Sequence, residues 1–394
     1  MTNEQPWYPL ATTTWDDAEY AAMREVIEAG RFTMGPRVRR FEEDFARFTG
    51  SRYAVMVNSG SSANLLGIAA AAYSPHLGLR RGDEIIVPAV SWATTYYPIS
   101  QLGFVPVLVD VDPDTLNIDP ERVRAAVTPR TRAVFAVNLL GNPAELVALH
   151  EICAEHDLLL FEDNCESLGA TLRERQTGTF GVFGTYSSFF SHHISTMEGG
   201  LVVTDDEYLY QAMLSMRAHG WTRELPAENL IHPKSGDPFD DLFRFVLPGY
   251  NLRPLELSGA LGIEQLAKLP TLLDGRRENA RRFVEALDGF PDARIQRVAA
   301  DADSSWFGFS FVLTGRLKGR RAELVAALTR AGIESRPIVA GNFARNPVMR
   351  HLDARVDGSL HGADEIHSDG LFIGNHHYPI PEQIIAVREL LDTV

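Results

Sequence analysis

The feature that most constrains this chain is the alternation of short apolar runs with helical patterns through its first half. Tyr53–Val57, Glu84–Pro88, Val105–Val111, Ala133–Leu139 and Leu158–Asp163 read as strands, with Thr185–Phe189 and Leu201–Thr204 as two more. Ser61–Ala72 and a stretch near Pro143–His156 read as helices between them. Strands apolar on both faces need cover on both sides, so the pattern predicts an α/β fold with a mostly parallel sheet between helical layers. Ligands of such sheets bind beyond the strand ends, so chemistry is expected at strand-to-helix junctions. Earlier, Tyr20, Met23, Val26 and Ile27 recur at helical spacing over Asp16–Ala29, and Gly30 supplies a stop.

At 394 residues the chain is too long for one ordinary core, and its pattern changes after residue 254. Pro254–Gly289 reads as helix with a break at Pro270, Trp306–Leu313 as a strand, and Arg321–Gly332 and Pro381–Leu391 as helices. This predicts a large domain over 1–254, N-terminal segment included, and a smaller α+β domain over 255–394. The formal charge of −15 disfavours nucleic acid and anionic membranes as partners, and requires locally placed arginines for any anionic substrate. No apolar run approaches the roughly 20 residues of a membrane span, and the start lacks the basic-then-apolar order of a signal peptide. Cys153 and Cys165 are the two cysteines, too few for a disulfide framework or an ordinary iron–sulfur cluster. A reducing cytoplasm is the expected setting.

Five segments carry candidate chemistry. Asn58–Asn64 joins a strand to a helix through Gly60 and Ser61, a turn that either cradles an anion on free helix-start amides or simply caps the helix. Trp92 follows a strand end, where an indole can stack on a flat heterocycle or serve as rim packing. Phe161–Glu166 places Asp163 at the end of a buried strand, where a carboxylate needs a cation, such as a protonated pyridine nitrogen, or else caps a helix. In Tyr186–Gly200 the adjacent His192 and His193 point to different faces of an extended segment, a poor chelate for zinc but a reasonable place for a general base or a structural histidine. No metal site is expected. Arg217–Arg223 and Leu247–Pro254 place His219, Arg223, Asn251 and Arg253 on glycine- or proline-marked loops suited to a nucleotide diphosphate, or to ordinary surface positions.

Taken in order, these segments resemble the sugar aminotransferase family of fold-type-I pyridoxal phosphate enzymes, from Tyr8 to the last helix. The resemblance implies that Asp163 binds the pyridine nitrogen, that Gly60, Ser61 and Ser187 hold the phosphate, and that Trp92, Glu166 and Asn251 complete the cofactor site. It implies His219, Arg223 and Arg253 as substrate contacts. The family's catalytic lysine is expected six residues before Glu198, and His192 stands there. Lys234, Lys268 and Lys318 are the only lysines in the chain, so the covalent cofactor link of ordinary transaminases is not available.

This departure is similar to a subfamily, the pyridoxamine-dependent sugar 3-dehydratases, which carry His-His-Ile before Glu-Gly-Gly. By that resemblance pyridoxamine phosphate engages the carbon-4 keto group of a GDP-linked 4-keto-6-deoxy-hexose of the manno configuration, and His192 moves the proton as the carbon-3 hydroxyl departs. Ammonia is released, and L-glutamate restores the amine. A homodimer is implied, with Asn251 reaching into the partner's site. A lysine-free nucleotide-sugar aminotransferase and a catalytically silent sugar-nucleotide binder are the alternatives.

Overall fold

The computed structural model describes residues 6–394; the first five residues of the expected leaderless start lie outside it. An eight-stranded sheet forms the large layer, in the order 53–57, 200–204, 183–187, 159–163, 131–137, 84–88, 105–109 and 355–356. Gly200–Thr204 runs antiparallel to both its neighbours, and the other pairings are parallel. Its strands are buried nearly throughout, as their unbroken Val, Ile, Leu and Phe content requires.

The helix Gly60–Ala72 lies close against the sheet because Gly67 lacks a side chain: a Cβ there would meet the Phe183 ring at 2.5 Å. The first helix, Asp17–Ala29, carries a capping box between Asp16 and Glu19 and stops at Gly30, whose φ of 67° only glycine adopts easily. A second, four-stranded antiparallel sheet takes the order 293–295, 308–313, 370–374 and 335–336. Its core gathers Phe283, Phe309, Phe311, Leu324 and Ile384, and Tyr8 joins it from the other end of the chain.

Several expectations need correction. Pro270 does not break its helix, which runs unbroken over Glu256–Leu287. Leu266, Leu269, Leu272 and Leu273 are buried on both sides of the proline, and that packing outweighs the one hydrogen bond it removes. The strand expected at Ala133–Leu139 ends at Val137, because the chain turns sharply through Leu140 at φ 54°. The strand expected at Val105–Val111 ends at Val109, and that expected at Thr185–Phe189 is Phe183–Ser187. Trp306 at φ 49° delays the next expected strand to Gly308. Helices Pro36–Thr49, Ala93–Gln101, Pro120–Ala126 and His361–Asp369 were not anticipated.

Packing crosses residue 254 in both directions. The long helix covers Val38 and Phe41 with Gly259 and Gly262, then enters the second core at Ala280 and Phe283. Arg355–Val356 returns to pair with Val107 and Leu108. Among the described residues no helix is long and apolar enough to cross a membrane.

Candidate active site

The carboxyl ends of five parallel strands open into one cavity of about 760 Å³, a size that suits a cofactor with its substrate. Asp163 forms part of its floor at the end of Leu159–Asp163. Its Oδ2 accepts from Asn64 Nδ2 and Thr95 Oγ1, both at 2.8 Å, and its Oδ1 accepts from the Cys165 amide at 3.2 Å. Thr185 donates to the Asn64 carbonyl oxygen at 2.5 Å, which turns the Asn64 amide group toward Asp163. Thr95 spends its proton on Asp163, so Ser91, 2.7 Å away, is the donor to Thr95. Every one of these partners is neutral, an arrangement that suits a cationic ring nitrogen as the carboxylate's remaining partner.

On the adjoining wall, Ser59 caps the helix that begins at Gly60, its hydroxyl accepting from the Ser62 amide at 3.1 Å. The free amides at this helix start favour an anion. Gly60 keeps the cradle open, since a Cβ there would lie 2.6 Å from Ser187 Cβ. Ser61 reaches Thr94 at 3.1 Å, and Ser187 accepts from the Phe189 amide at 3.3 Å. Small polar groups around an unobstructed helix start fit a phosphate. Trp92 lines the cavity and is 59% exposed, leaving an indole surface available to stack. The donors and the carboxylate thus fit a phosphorylated pyridine.

His192 and His193 lie in the loop between Phe183–Ser187 and Gly200–Thr204, and this loop is turned rather than extended as expected. Its stem is closed by Ser188 N to Gly199 O and Phe190 N to Met197 O, both 3.0 Å, and residues 191–194 pass through a turn and successive bends. The two rings still diverge. His192 lines the cavity, with Nδ1 2.8 Å from the Cys165 carbonyl. A carbonyl only accepts, so Nδ1 carries the proton and the Nε2 lone pair is unprotonated in the neutral ring. Burial, partly offset by that hydrogen bond and reinforced by the Arg276 charge, pushes the ring down to about 4. It is neutral at pH 7 and available as a base. Cys165 therefore ties floor to base, its amide on Asp163 and its carbonyl on His192.

Glu166 also lines the cavity, accepting from the Leu140 amide at 3.1 Å; burial and the nearby Asp163 charge push its carboxyl up to about 7. None of the three lysines lines the cavity. Lys268 is occupied by Asp16 and Glu19, and Lys234 donates to the Leu225 carbonyl.

The remaining expected site residues assemble elsewhere. His219 packs on Trp221 at 4.8 Å between ring centres, with the Arg223 and Arg253 guanidiniums over the indole at 5.5 and 5.9 Å. Asn251 accepts from Arg253 Nε at 3.0 Å. These four residues do not line the cavity of their own chain. Arg217 belongs to neither place: it is buried, paired with Glu42, and donates to the Met56 carbonyl at 2.8 Å.

The sequence reading missed Arg336, the one arginine or lysine lining the cavity among the described residues, and Phe307, whose ring lies 5.0 Å from that of His192. Both come from the second half of the chain, and nothing local to Ser335-Arg336-Pro337 or Trp306-Phe307 marks them as site residues.

Comparison with known proteins agrees with this geometry. The chain is 52% identical to GDP-4-keto-6-deoxy-D-mannose 3-dehydratase of Yersinia pseudotuberculosis over 386 residues, 98% of each chain. It superposes with a TM-score of 0.95 on a mutant GDP-4-keto-6-deoxymannose-3-dehydratase with bound GDP-perosamine, at 50% identity over 98% of this chain and 100% of that one. The same TM-score, identity and coverage relate it to that enzyme with a trapped PLP-glutamate geminal diamine. The sequence pattern of the DegT/DnrJ/EryC1/StrS aminotransferase family matches residues 14–391, and the chain belongs to that family.

Proposed function

We propose that this protein removes the carbon-3 hydroxyl from GDP-4-keto-6-deoxy-mannose, giving a 3,6-dideoxy-4-keto sugar and ammonia, with L-glutamate as the amino donor that resets the site. The observation that carries the reading is His192: standing where the family resemblance expects the lysine, it faces the cavity and is held by the Cys165 carbonyl with its Nε2 lone pair free. Bound in the cavity, pyridoxamine phosphate supplies the reacting amine and an electron-accepting ring.

Asp163 keeps the ring nitrogen protonated. Gly60, Ser61 and Ser187 hold the phosphate, and Trp92 covers the ring. Glu166 presents to the ring a carboxyl that exchanges its proton near neutrality. His192 Nε2 takes the proton from the carbon that bears the cofactor's amine. Positioned proton transfer of this kind contributes about 10²–10⁴-fold. A base pushed down to about 4 suits a carbon acid that the bound ring has already acidified. Because a histidine does not capture the cofactor covalently, loss of the hydroxyl is favoured over amino transfer.

His219, Arg223 and Arg253 contact the nucleotide diphosphate of a second copy's site, and Asn251 completes that copy's cofactor site in a cytoplasmic homodimer. What supports this is their assembly outside their own cavity, in a chain of net charge −15 that needs local cations for an anionic substrate.

The test is direct. Purified protein with pyridoxamine phosphate, L-glutamate and GDP-4-keto-6-deoxy-mannose should release ammonia and yield a GDP-sugar one oxygen lighter by mass spectrometry. A 4-amino sugar formed without ammonia would make the protein an aminotransferase. No turnover with intact nucleotide-sugar binding would make it a silent binder.

A further inference from the structure

His193 does not line the cavity and is 1% exposed, yet it is joined to a distant part of the chain. Its Nε2 lies 2.9 Å from the Ser305 carbonyl and must be the donor, since a carbonyl only accepts. Its Nδ1 has no hydrogen-bond partner among the described residues. Burial, together with the Arg276 charge, holds this ring well below the ordinary histidine range, so it is neutral. A neutral Nε2–H ring with its lone pair buried away from the cavity is no base.

What it grips is itself rigid. The Ser305 amide donates to the Gly141 carbonyl at 2.9 Å, as does Ser304 Oγ at 2.8 Å, and the Phe307 amide donates to the Leu140 carbonyl at 3.1 Å. The fit is close, since a Cβ on Gly141 would lie 2.4 Å from the Trp306 amide. Arg276 holds the Phe307 carbonyl at 3.1 Å from the long helix. By contrast, the tip of the histidine loop has few anchors of its own. Beyond its stem it is tied through Ser195, to Trp15 and Gln265, through His192, to the Cys165 carbonyl, and through His193, the one hydrogen-bonded tie to the 304–307 segment among the described residues. Phe307 packs against both rings, 5.0 Å from His192 and 5.7 Å from His193.

We propose that His193 is a positioning residue for His192: its Nε2–H bond to the Ser305 carbonyl ties the loop tip to the 304–307 segment and sets the angle at which His192 meets the reacting carbon. An apolar side chain of similar size would fill the same space without burying an unpartnered nitrogen, so the donor is what the position requires. Glu166 depends on the same support, since the Leu140 amide it accepts from sits in the turn that holds Ser305 and Phe307.

The inference rests on His192 being the base, and the two can fail separately: an active His192→Asn protein would sink the base assignment, whereas the His193 variants test only its positioning. The experiment uses the holoenzyme and its two half-reactions, conversion of the pyridoxal form by L-glutamate and dehydration by the pyridoxamine form. His193→Leu removes the donor, His193→Gln places an amide N–H near Nε2, and His193→Asn places one near Nδ1. His193→Leu should lower kcat of both half-reactions by about 10²-fold, the usual consequence of displacing a catalytic group by an ångström. KM values and pyridoxamine phosphate affinity should stay within about twofold, and His193→Gln should recover most of the rate. If His193→Leu fails to fold, the Gln variant should still exceed the Asn variant. Undiminished kcat in His193→Leu, equal rates for Gln and Asn, or a loss confined to KM or cofactor affinity would overturn the proposal.

Discussion

The strand-end cavity and the patch around Trp221 each bring a histidine and an indole together, but only in the cavity are the polar side chains held by hydrogen bonds from the surrounding fold. At the cavity, Asp163 has three protein donors, and both carbonyl and amide of Cys165 are engaged. At the patch, two guanidiniums lie over one indole whose Nε1 has no partner among the described residues, and Phe243 and Phe245 are exposed beside it. Exposed apolar surface rimmed by charge marks a contact surface. One region is preorganised by backbone that the sheet places, and the other is organised only against itself. Substitutions in the first should therefore act within one subunit, and those in the second across subunits.

The largest effect expected is at His192. His192→Asn should lower both half-reactions by about 10²–10⁴-fold while pyridoxamine phosphate affinity changes little, because the proposed function assigns the binding to Asp163, Ser187 and the Gly60 turn. Cofactor titration beside stopped-flow absorbance separates the two, and a parallel loss of binding would mean that His192 is part of the cradle. His192→Lys should restore a borohydride-stable attachment of pyridoxal phosphate and suppress release of ammonia.

Smaller, and confined to the cradle, is Gly60→Ala. Its methyl would meet Ser187 at 2.6 Å, so cofactor affinity should fall about tenfold or more by overpacking alone. Fluorescence titration of apoprotein reads this, and unchanged affinity would show that the phosphate sits elsewhere.

At the patch, Arg223→Gln should raise KM for the GDP-sugar about tenfold, in line with loss of one charge-assisted hydrogen bond, and leave the glutamate half-reaction intact. The sharper version mixes subunits. A hybrid of one Arg223→Gln subunit and one His192→Asn subunit should retain one fully intact site only if the patch serves its partner, while a double-mutant subunit mixed with wild type should leave none intact. Equal activity in the two hybrids would break the comparison.

The same contrast explains what was legible in the sequence. Asp163, Gly60, Ser61, Trp92 and Ser187 sit at strand ends, and strand ends follow from period and apolar run length. Which of His192 and His193 enters the cavity was not readable from residue alternation, because the loop is bent and the outcome depends on Ser305, over a hundred residues away. Arg336 and Phe307 were missed for the same reason: each reaches the site through tertiary packing of the second sheet. Pro270 misled because local propensity was outvoted by leucines on both sides.

The smallest effect expected is a pH dependence of the apoprotein's stability, and it bears on whether the cavity is preorganised before any ligand arrives. His192 is pushed from the ordinary 6.5 down to about 4, so the folded state binds its proton less readily than the unfolded chain does. A depressed group contributes stability that is whole above about 6.5 and is lost as pH falls through about 4. Glu166 has the opposite sign. Raised from 4.5 to about 7, it contributes stability that is whole below 4.5 and is lost as pH rises through about 7. Between these limits the two oppose each other, and the parent apoprotein should show a shallow optimum. His192→Asn should remove the acid-side loss, so that its urea midpoint falls less than the parent's between pH 6.5 and 4, while Glu166→Gln should flatten the neutral side. A His192→Asn protein that loses stability with acid as steeply as the parent would mean that the ring is already solvated in the free protein, and that the cavity closes around it only when the cofactor binds.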